Sequence, residues 1–253
     1  KIMHKDSKRR EALLYHAKPT PGKIQVVPTK KYATQRDLAL AYSPGVAEPC
    51  LEIQKDVNNV YKYTAKGNLV AVITNGTAVL GLGDIGPEAS KPVMEGKALL
   101  FKIFSDIDVF DIEVDATDID KFVETVKAIA PTFGGINLED IKAPESFEIE
   151  RRLVEELNIP VMHDDQHGTA IISSAAFLNA LEIAEKDITK VKVVVSGAGS
   201  AALACANLYV LLDVKPENLY MFDVNGLLTT CRDDVSELQM RYAKSCDPAP
   251  LSE

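Results

Sequence analysis

The stretch Val193–Ala204, VVVSGAGSAALA, decides how the chain is read. A β-branched run enters Gly197 and Gly199, and a helical pattern opens at once with Ser200-Ala201-Ala202. Strand, tight turn and immediate helix form the arrangement in which backbone amides and a helix N-terminus can approach a pyrophosphate closely. Alanine serves in place of the third glycine, where helix-to-strand packing needs only a small residue. Asp223 closes the next apolar run, NLYMFD, near the ~20-residue offset expected of a carboxylate on adenosine ribose hydroxyls. A close-packed strand–helix junction without ligand would show the same letters.

A rival lies upstream. VLGLGDIGP, Val79–Pro87, spells G-x-G-x-x-G in full at Gly81, Gly83 and Gly86. Its context differs: LVAVITNG and AVLGLG resemble a hairpin, and Pro87 followed by Ser90-Lys91-Pro92 defers the helix by several residues. The dinucleotide is therefore assigned to Gly197, Gly199, Ser200, Ala201, Ala202 and Asp223, and the upstream glycines to a turn.

Before this unit the chain alternates apolar strand-like runs with helical patterns. A helix behind Ser90 leads to the strand IDVFDIEV. A helix from Asp118 to Ile129, the strand GGINLED and a helix from Pro144 to Leu157 follow. The strand IPVMHDD and a long apolar helix from about Gly168 to Glu185 complete the series. Such alternation predicts an α/β fold with a largely parallel sheet. Upstream of it, Asp6–Ala17 reads as a helical arm, Thr34 as the cap of a short helix QRDLALAY, and Val46–Asn58 as another helix. A domain boundary is placed between Lys186 and Lys190. Residues 1–187 form an α/β domain with an N-terminal arm, and 188–253 a partial Rossmann-like dinucleotide-binding domain. The run from Gly197 to Glu253 is too short for two βαβαβ halves.

The net charge of −9 argues against nucleic acid as a partner. No apolar run approaches the ~20 residues of a membrane span, and the charged opening KIMHKDSKRREALLYH does not read as a signal peptide. Cys50, Cys205, Cys231 and Cys246 are widely spaced, without a C-x-x-C pair, which suits a reducing, cytoplasmic compartment.

Two acidic pairs fall at strand ends, Glu139-Asp140 in NLEDIKAP and Asp164-Asp165 in PVMHDDQHGTA. Ligands gather beyond the carboxyl ends of strands in open parallel sheets. Converging carboxylates there need a hard divalent cation such as Mg²⁺ or Mn²⁺, whereas one acidic pair alone reads as a solvated turn. His163 and His167 form H-x-x-x-H but lack the glutamate of a zinc helix, and Gly168 suggests that the helix starts only after them. Asp106, Asp108 and Glu113 alternate with apolar residues, as on a half-solvated edge strand. Lys97 lies in an apolar helix beside Leu99, Leu100 and Phe101. Desolvation there would suit a general base, and a lysine snorkelling to the surface fits the same pattern. Tyr42, beside the SPG turn, is equally open.

Taken in order, DLALAYSPGVAEPC, VITNGTAVLGLGDIGPEASKPVMEGKALLFK, NLEDIKAP, HDDQHGTA and GAGSAA resemble the malic enzyme family, in its shorter microbial branch. The resemblance covers about Arg36 to Asp223. It implies oxidative decarboxylation of L-malate to pyruvate and CO₂ with reduction of NAD or NADP. Glu139, Asp140 and Asp165 would hold Mn²⁺ or Mg²⁺, Lys97 would be the general base with Asp164 beside it in the proton relay, and Tyr42 the general acid. A homodimer or higher homo-oligomer is expected. Where many animal-type members carry a substrate-binding arginine before LGLGD, this sequence has Ala78. Two other readings remain: an incomplete chain serving mainly in subunit association, and a hydroxy-acid dehydrogenase that does not decarboxylate.

Overall fold

A computed structural model describes residues 2–245. Cys246 lies outside them. The elements are α1 (Ile2–Ala17), α2 (Gln35–Ala41), α3 (Ala47–Lys55), α4 (Val60–Tyr63), β1 (Leu69–Thr74), α5 (Pro87–Ser105), β2 (Asp108–Glu113) and α6 (Ile119–Ile129). They continue with β3 (Gly135–Leu138), α7 (Glu145–Glu156), β4 (Val161–His163), α8 (Asp164–Ile183), β5 (Val193–Ser196), α9 (Ser200–Leu211), β6 (Leu219–Asp223), β7 (Gly226–Leu227) and α10 (Glu237–Met240). Two compact units divide them. One runs to Ile141 and takes back Arg151–Val161; the other comprises Lys142–Glu150 and everything from Met162 onward.

The first unit is built on the strands β2, β1 and β3, in which β1 runs parallel to β2 and to β3. Ala71, Val72 and Ile73 are fully buried, so β1 is covered on both faces, as a central parallel strand must be. LVAVITNG is thus not a hairpin arm: a continuous apolar run of this kind pairs with strands distant in sequence, and Val79 keeps only an isolated bridge to Gly83. Met94 and Ala98 of α5, and Phe122, Val123 and Val126 of α6, present small-to-large apolar side chains at helical spacing and are buried. Asp118 caps α6 by accepting the Lys121 N–H at 2.8 Å. Thr34 forms a capping box with Asp37 at the start of α2.

Helix α5 begins directly after Gly86 and not several residues later. Pro87 occupies its first position, where the missing N–H is an orphan in any helix. Ser90 is an interior residue whose hydroxyl donates to Pro87 O at 2.6 Å, and Pro92 sits within the helix. The arm is largely exposed and touches α5 through Lys23, whose N–H donates to Glu95 and whose ammonium donates to Pro92 O.

Strand β2 lies at the sheet edge with Asp108 exposed, yet its other two carboxylates turn inward: the Asp111 and Glu113 side chains are 3% and 14% exposed. Lys91 Nζ approaches them at 2.5 and 3.5 Å. Burial, and next the neighbouring Asp111 carboxylate, push the Glu113 carboxyl up to about 7 against the pull of Lys91. A carboxyl raised in the folded state loses stability as pH climbs from its unfolded value toward 7. Glu113→Gln is therefore expected to stabilise the fold at pH 8 by on the order of 1 kcal/mol after solvent screening, read as a rise in melting temperature. It should have little effect at pH 5. Equal shifts at both pH values would contradict the inward, protonated carboxyl.

The second unit has a three-stranded sheet of order β5-β6-β7. β5 is parallel to β6, and β6 antiparallel to the two-residue β7. The unbroken apolar run of β5 reads as a central parallel strand, and the structure does not place it there. Among the described residues β5 is an edge strand, and Val194 is 55% exposed because it projects from the face opposite the core on which Val193 and Val195 pack. Leu203 and Ala206 of α9 pack with Leu219, Met221, Leu228 and Tyr242, and Phe147 of α7 lies against this core. α8 packs along α9 within the same unit, although the sequence groups it with the preceding domain. α8 also starts earlier than expected, with His163 at its N-cap and Asp164 and Asp165 in its first turn, where carboxylates favour the helix dipole.

Candidate active site and dinucleotide site

In the first unit, β3 delivers Glu139-Asp140 at its carboxyl end. The Glu139 N–H donates to Ile73 O at 3.0 Å, extending the ladder to β1 by one step. Asp140 then turns the chain with φ +53°, a left-handed conformation that aspartate tolerates better than most residues. Both are buried, at 6% and 4% exposure. Asn137 Nδ2 donates to Glu139 Oε2 at 2.8 Å, and Lys97 Nζ lies 3.1 Å from Glu139 Oε1. Lys97 is 22% exposed. It reaches from α5 toward the acidic pair, and its headgroup does not snorkel to solvent.

The loop carrying VLGLGDIGP closes beside this pair. The Ala78 N–H donates to Asp140 O at 3.0 Å, and the Ile85 and Gly86 N–H groups both donate to Gly76 O. Gly76 has φ +69°, and a Cβ there would lie 2.1 Å from Gly86 O. The loop therefore needs Gly76, outside the motif, as well as Gly83 and Gly86, whose φ of +79° and +83° also favour glycine. A Cβ on Gly81, by contrast, would meet nothing within 4 Å. Tyr42 is the C-cap of α2, and at 78% exposure its side chain lies in solvent.

In the second unit, Asp164 folds back over its own helix, where a Cβ on Gly168 would lie 2.3 Å from Asp164 Oδ1. Glu150 of α7 accepts the His163 N–H at 2.8 Å and sits 2.8 Å from His167 Nε2. Gln166 Nε2 stands 2.9 Å from His163 Nδ1 and 3.4 Å from Glu150 Oε2. The two histidines thus share a glutamate from another helix. Sequence reading missed Glu150 and Gln166; the only trace is the spacing of Gln166 three residues after His163.

At the second glycine motif, Gly197 adopts φ +121°, open to glycine alone, and its N–H donates to Phe222 O at 2.7 Å. A Cβ on Gly197 or Gly199 would meet nothing within 4 Å, and α9 starts at Ser200 with Ala201 and Ala202 in its first turn. Open space before exposed helix-terminal amides is the shape of an anion cradle. Asp223 ends β6, but its carboxylate is clasped: Arg232 Nη1 and Nη2 donate to its two oxygens at 3.0 and 2.6 Å. Arg232 also donates to both oxygens of Asp234. This guanidinium, first among the causes, holds the Asp223 carboxyl below the usual range. Nothing in the glycine motif or its offset points to Arg232.

Comparison with known proteins places both parts of the chain in one family. The family description "Malic enzyme, N-terminal domain" matches residues 21–118 and 116–154, and "Malic enzyme, NAD binding domain" matches 166–250. The chain belongs to the malic enzyme family. An NADP-dependent malic enzyme of Escherichia coli is 64% identical over 94% of this family member and 32% of its own length. An NAD-dependent malic enzyme of Rhizobium meliloti is 59% identical over 96% and 32%. A malic enzyme crystal structure from Pyrococcus horikoshii superposes with TM-score 0.85 at 51% identity, covering 89% of this malic enzyme chain and 53% of that one. The chain thus spans about a third of the length of those two curated relatives. The fold expectation of a mostly parallel α/β domain followed by a Rossmann-type portion stands.

Proposed function

We propose that the protein of which this chain forms part oxidatively decarboxylates L-malate to pyruvate and CO₂, reducing NAD or NADP with a divalent metal. The observation that carries the reading is the pair of adjoining buried carboxylates, Glu139 and Asp140, with Lys97 at 3.1 Å from the first. Two buried carboxylates form a hard-oxygen donor set suited to Mn²⁺ or Mg²⁺. Glu139, Asp140 and Asp165 would hold the ion, which supplies Lewis-acid stabilisation of charge on substrate oxygen. Gly197, Gly199, Ser200, Ala201 and Ala202 would cradle the dinucleotide phosphates, and Asp223 would meet the adenosine ribose. A nucleotide bound there would supply the hydride acceptor.

The chain's own residues then move the protons. Lys97 Nζ takes the proton of the malate C2 hydroxyl, with Asp164 in its relay, and the Tyr42 hydroxyl delivers a proton to C3 of the enolate product. Functionally, residues 1–187 would be the catalytic domain and 188–253 the opening part of the nucleotide domain. The exposed apolar side chains of Leu38, Leu40, Leu51 and Val57, 48–71% accessible, favour self-association into a homodimer or larger homo-oligomer. A cytoplasmic location agrees with Cys50, Cys205 and Cys231 being unbridged. Among the described residues no helix is long and apolar enough to cross a membrane.

The test uses the full-length protein. Malate and NAD(P)⁺ should yield equimolar pyruvate and CO₂ only with Mn²⁺ or Mg²⁺ present. Glu139→Gln should lower activity at least about a hundredfold and weaken Mn²⁺ binding. Nucleotide reduction without CO₂ would instead establish a plain hydroxy-acid dehydrogenase, and an inactive oligomer the association role.

A further inference from the structure

His163 is the most deeply buried titratable side chain of the second unit, at 0% exposure, and the proposed reaction leaves it without a task. Its ring is set by its neighbours. Glu150 Oε2 can only accept hydrogen bonds, so the Gln166 amide turns its NH₂ toward that carboxylate, and the same NH₂ faces His163 Nδ1 at 2.9 Å. Nδ1 is therefore the acceptor and Nε2 carries the ring hydrogen. Nε2 makes no aligned hydrogen bond, although Asp165 Oδ2 is 3.3 Å away. Buried donors are nearly always satisfied, and one left short of its acceptor marks a place where a small rotation completes a bond.

We propose that His163 is a positioning residue for Asp165. Its Nε2–H, fixed by the Gln166 and Glu150 chain, hydrogen-bonds Asp165 Oδ2 and orients that carboxylate toward the divalent cation. The inference rests on the reading of Asp165 as a metal ligand. It adds a supporting shell of three residues, Glu150, His163 and Gln166, which holds the first turn of α8 from behind. Such outer partners set the direction and basicity of a ligand without touching the ion.

The experiment measures the Mn²⁺ dissociation constant of the full-length protein from the electron paramagnetic resonance amplitude of free Mn²⁺, without substrate. His163→Leu should weaken binding about ten- to a hundredfold. His163→Gln, which returns an amide NH₂ near the position of Nε2, should recover most of it. On an Asp165→Asn background His163→Leu should add nothing further. A folded His163→Leu protein with affinity within about twofold of the parent overturns the inference. So does an equal additional loss on the Asp165→Asn background, which would mean a purely structural role. Should His163→Leu not fold, Gln166→Met makes the test by removing the donor to Nδ1 and leaving the ring; unchanged affinity there overturns the inference as well. Unaltered Mn²⁺ binding in Asp165→Asn removes the metal reading itself, an outcome separate from failure at His163.

Discussion

Lys97→Ala in the full-length protein is expected to lower kcat for malate about 10²- to 10⁴-fold, the range that a positioned general base supplies. The Mn²⁺ dissociation constant should stay within a fewfold, since the variant removes a cation beside Glu139 and leaves every carboxylate in place. This divides the two roles on the same side of the sheet: Glu139→Gln loses metal and activity together, whereas Lys97→Ala loses activity alone. Added primary amines of graded basicity should restore part of the rate, because the cavity left by the side chain admits a small base. A variant that keeps full activity would leave Lys97 as a structural counterion to Glu139 and remove it from the proton relay.

Gly76→Ala is expected to destabilise the first unit on the order of 3–4 kcal/mol, read as a fall of roughly 6–16 °C in melting temperature. The added methyl would lie 2.1 Å from Gly86 O and 2.4 Å from its carbonyl carbon, and the backbone at φ +69° strains any L side chain. Relief requires the loop to open, which breaks the donations of Ile85 and Gly86 N–H to Gly76 O and loosens the Ala78 link to Asp140. Gly81→Ala is the matched control. Its methyl meets nothing within 4 Å, and the change should stay within about 0.5 kcal/mol. Equal effects at the two positions would refute the steric account.

These glycines show how far the letters carried. Thr34 was legible as the cap of α2, because a side-chain oxygen next to a helical pattern has one favourable use, whereas Ser90, which reads as a cap by the same rule, lies inside α5. The two-sided burial of β1 was not legible, since an apolar run followed by glycine reads equally as a hairpin arm until its parallel partners are known. Pro87 was read as a delay and proved to be the first residue of α5. For the candidate site, the residue types were visible and their supports were not. Glu150 reaches the start of α8 from another helix, and Arg232 reaches back to Asp223 around the β6–β7 turn. Ion pairs closed by tertiary structure leave no periodicity to read.

The crossing of α7 between the two units bears on how the chain can fold as it is synthesised. Lys142–Glu150 belongs with the later unit, yet it is made before Arg151–Val161, which the earlier unit needs. Neither core is closed when residue 150 emerges from a ribosome. The first waits for eleven more residues, while Phe147 waits for Leu203, Leu219 and Met221 to be made. The interleaving leaves a partly apolar helix exposed through that interval, and it denies the later unit a clean start at any single position in the gene.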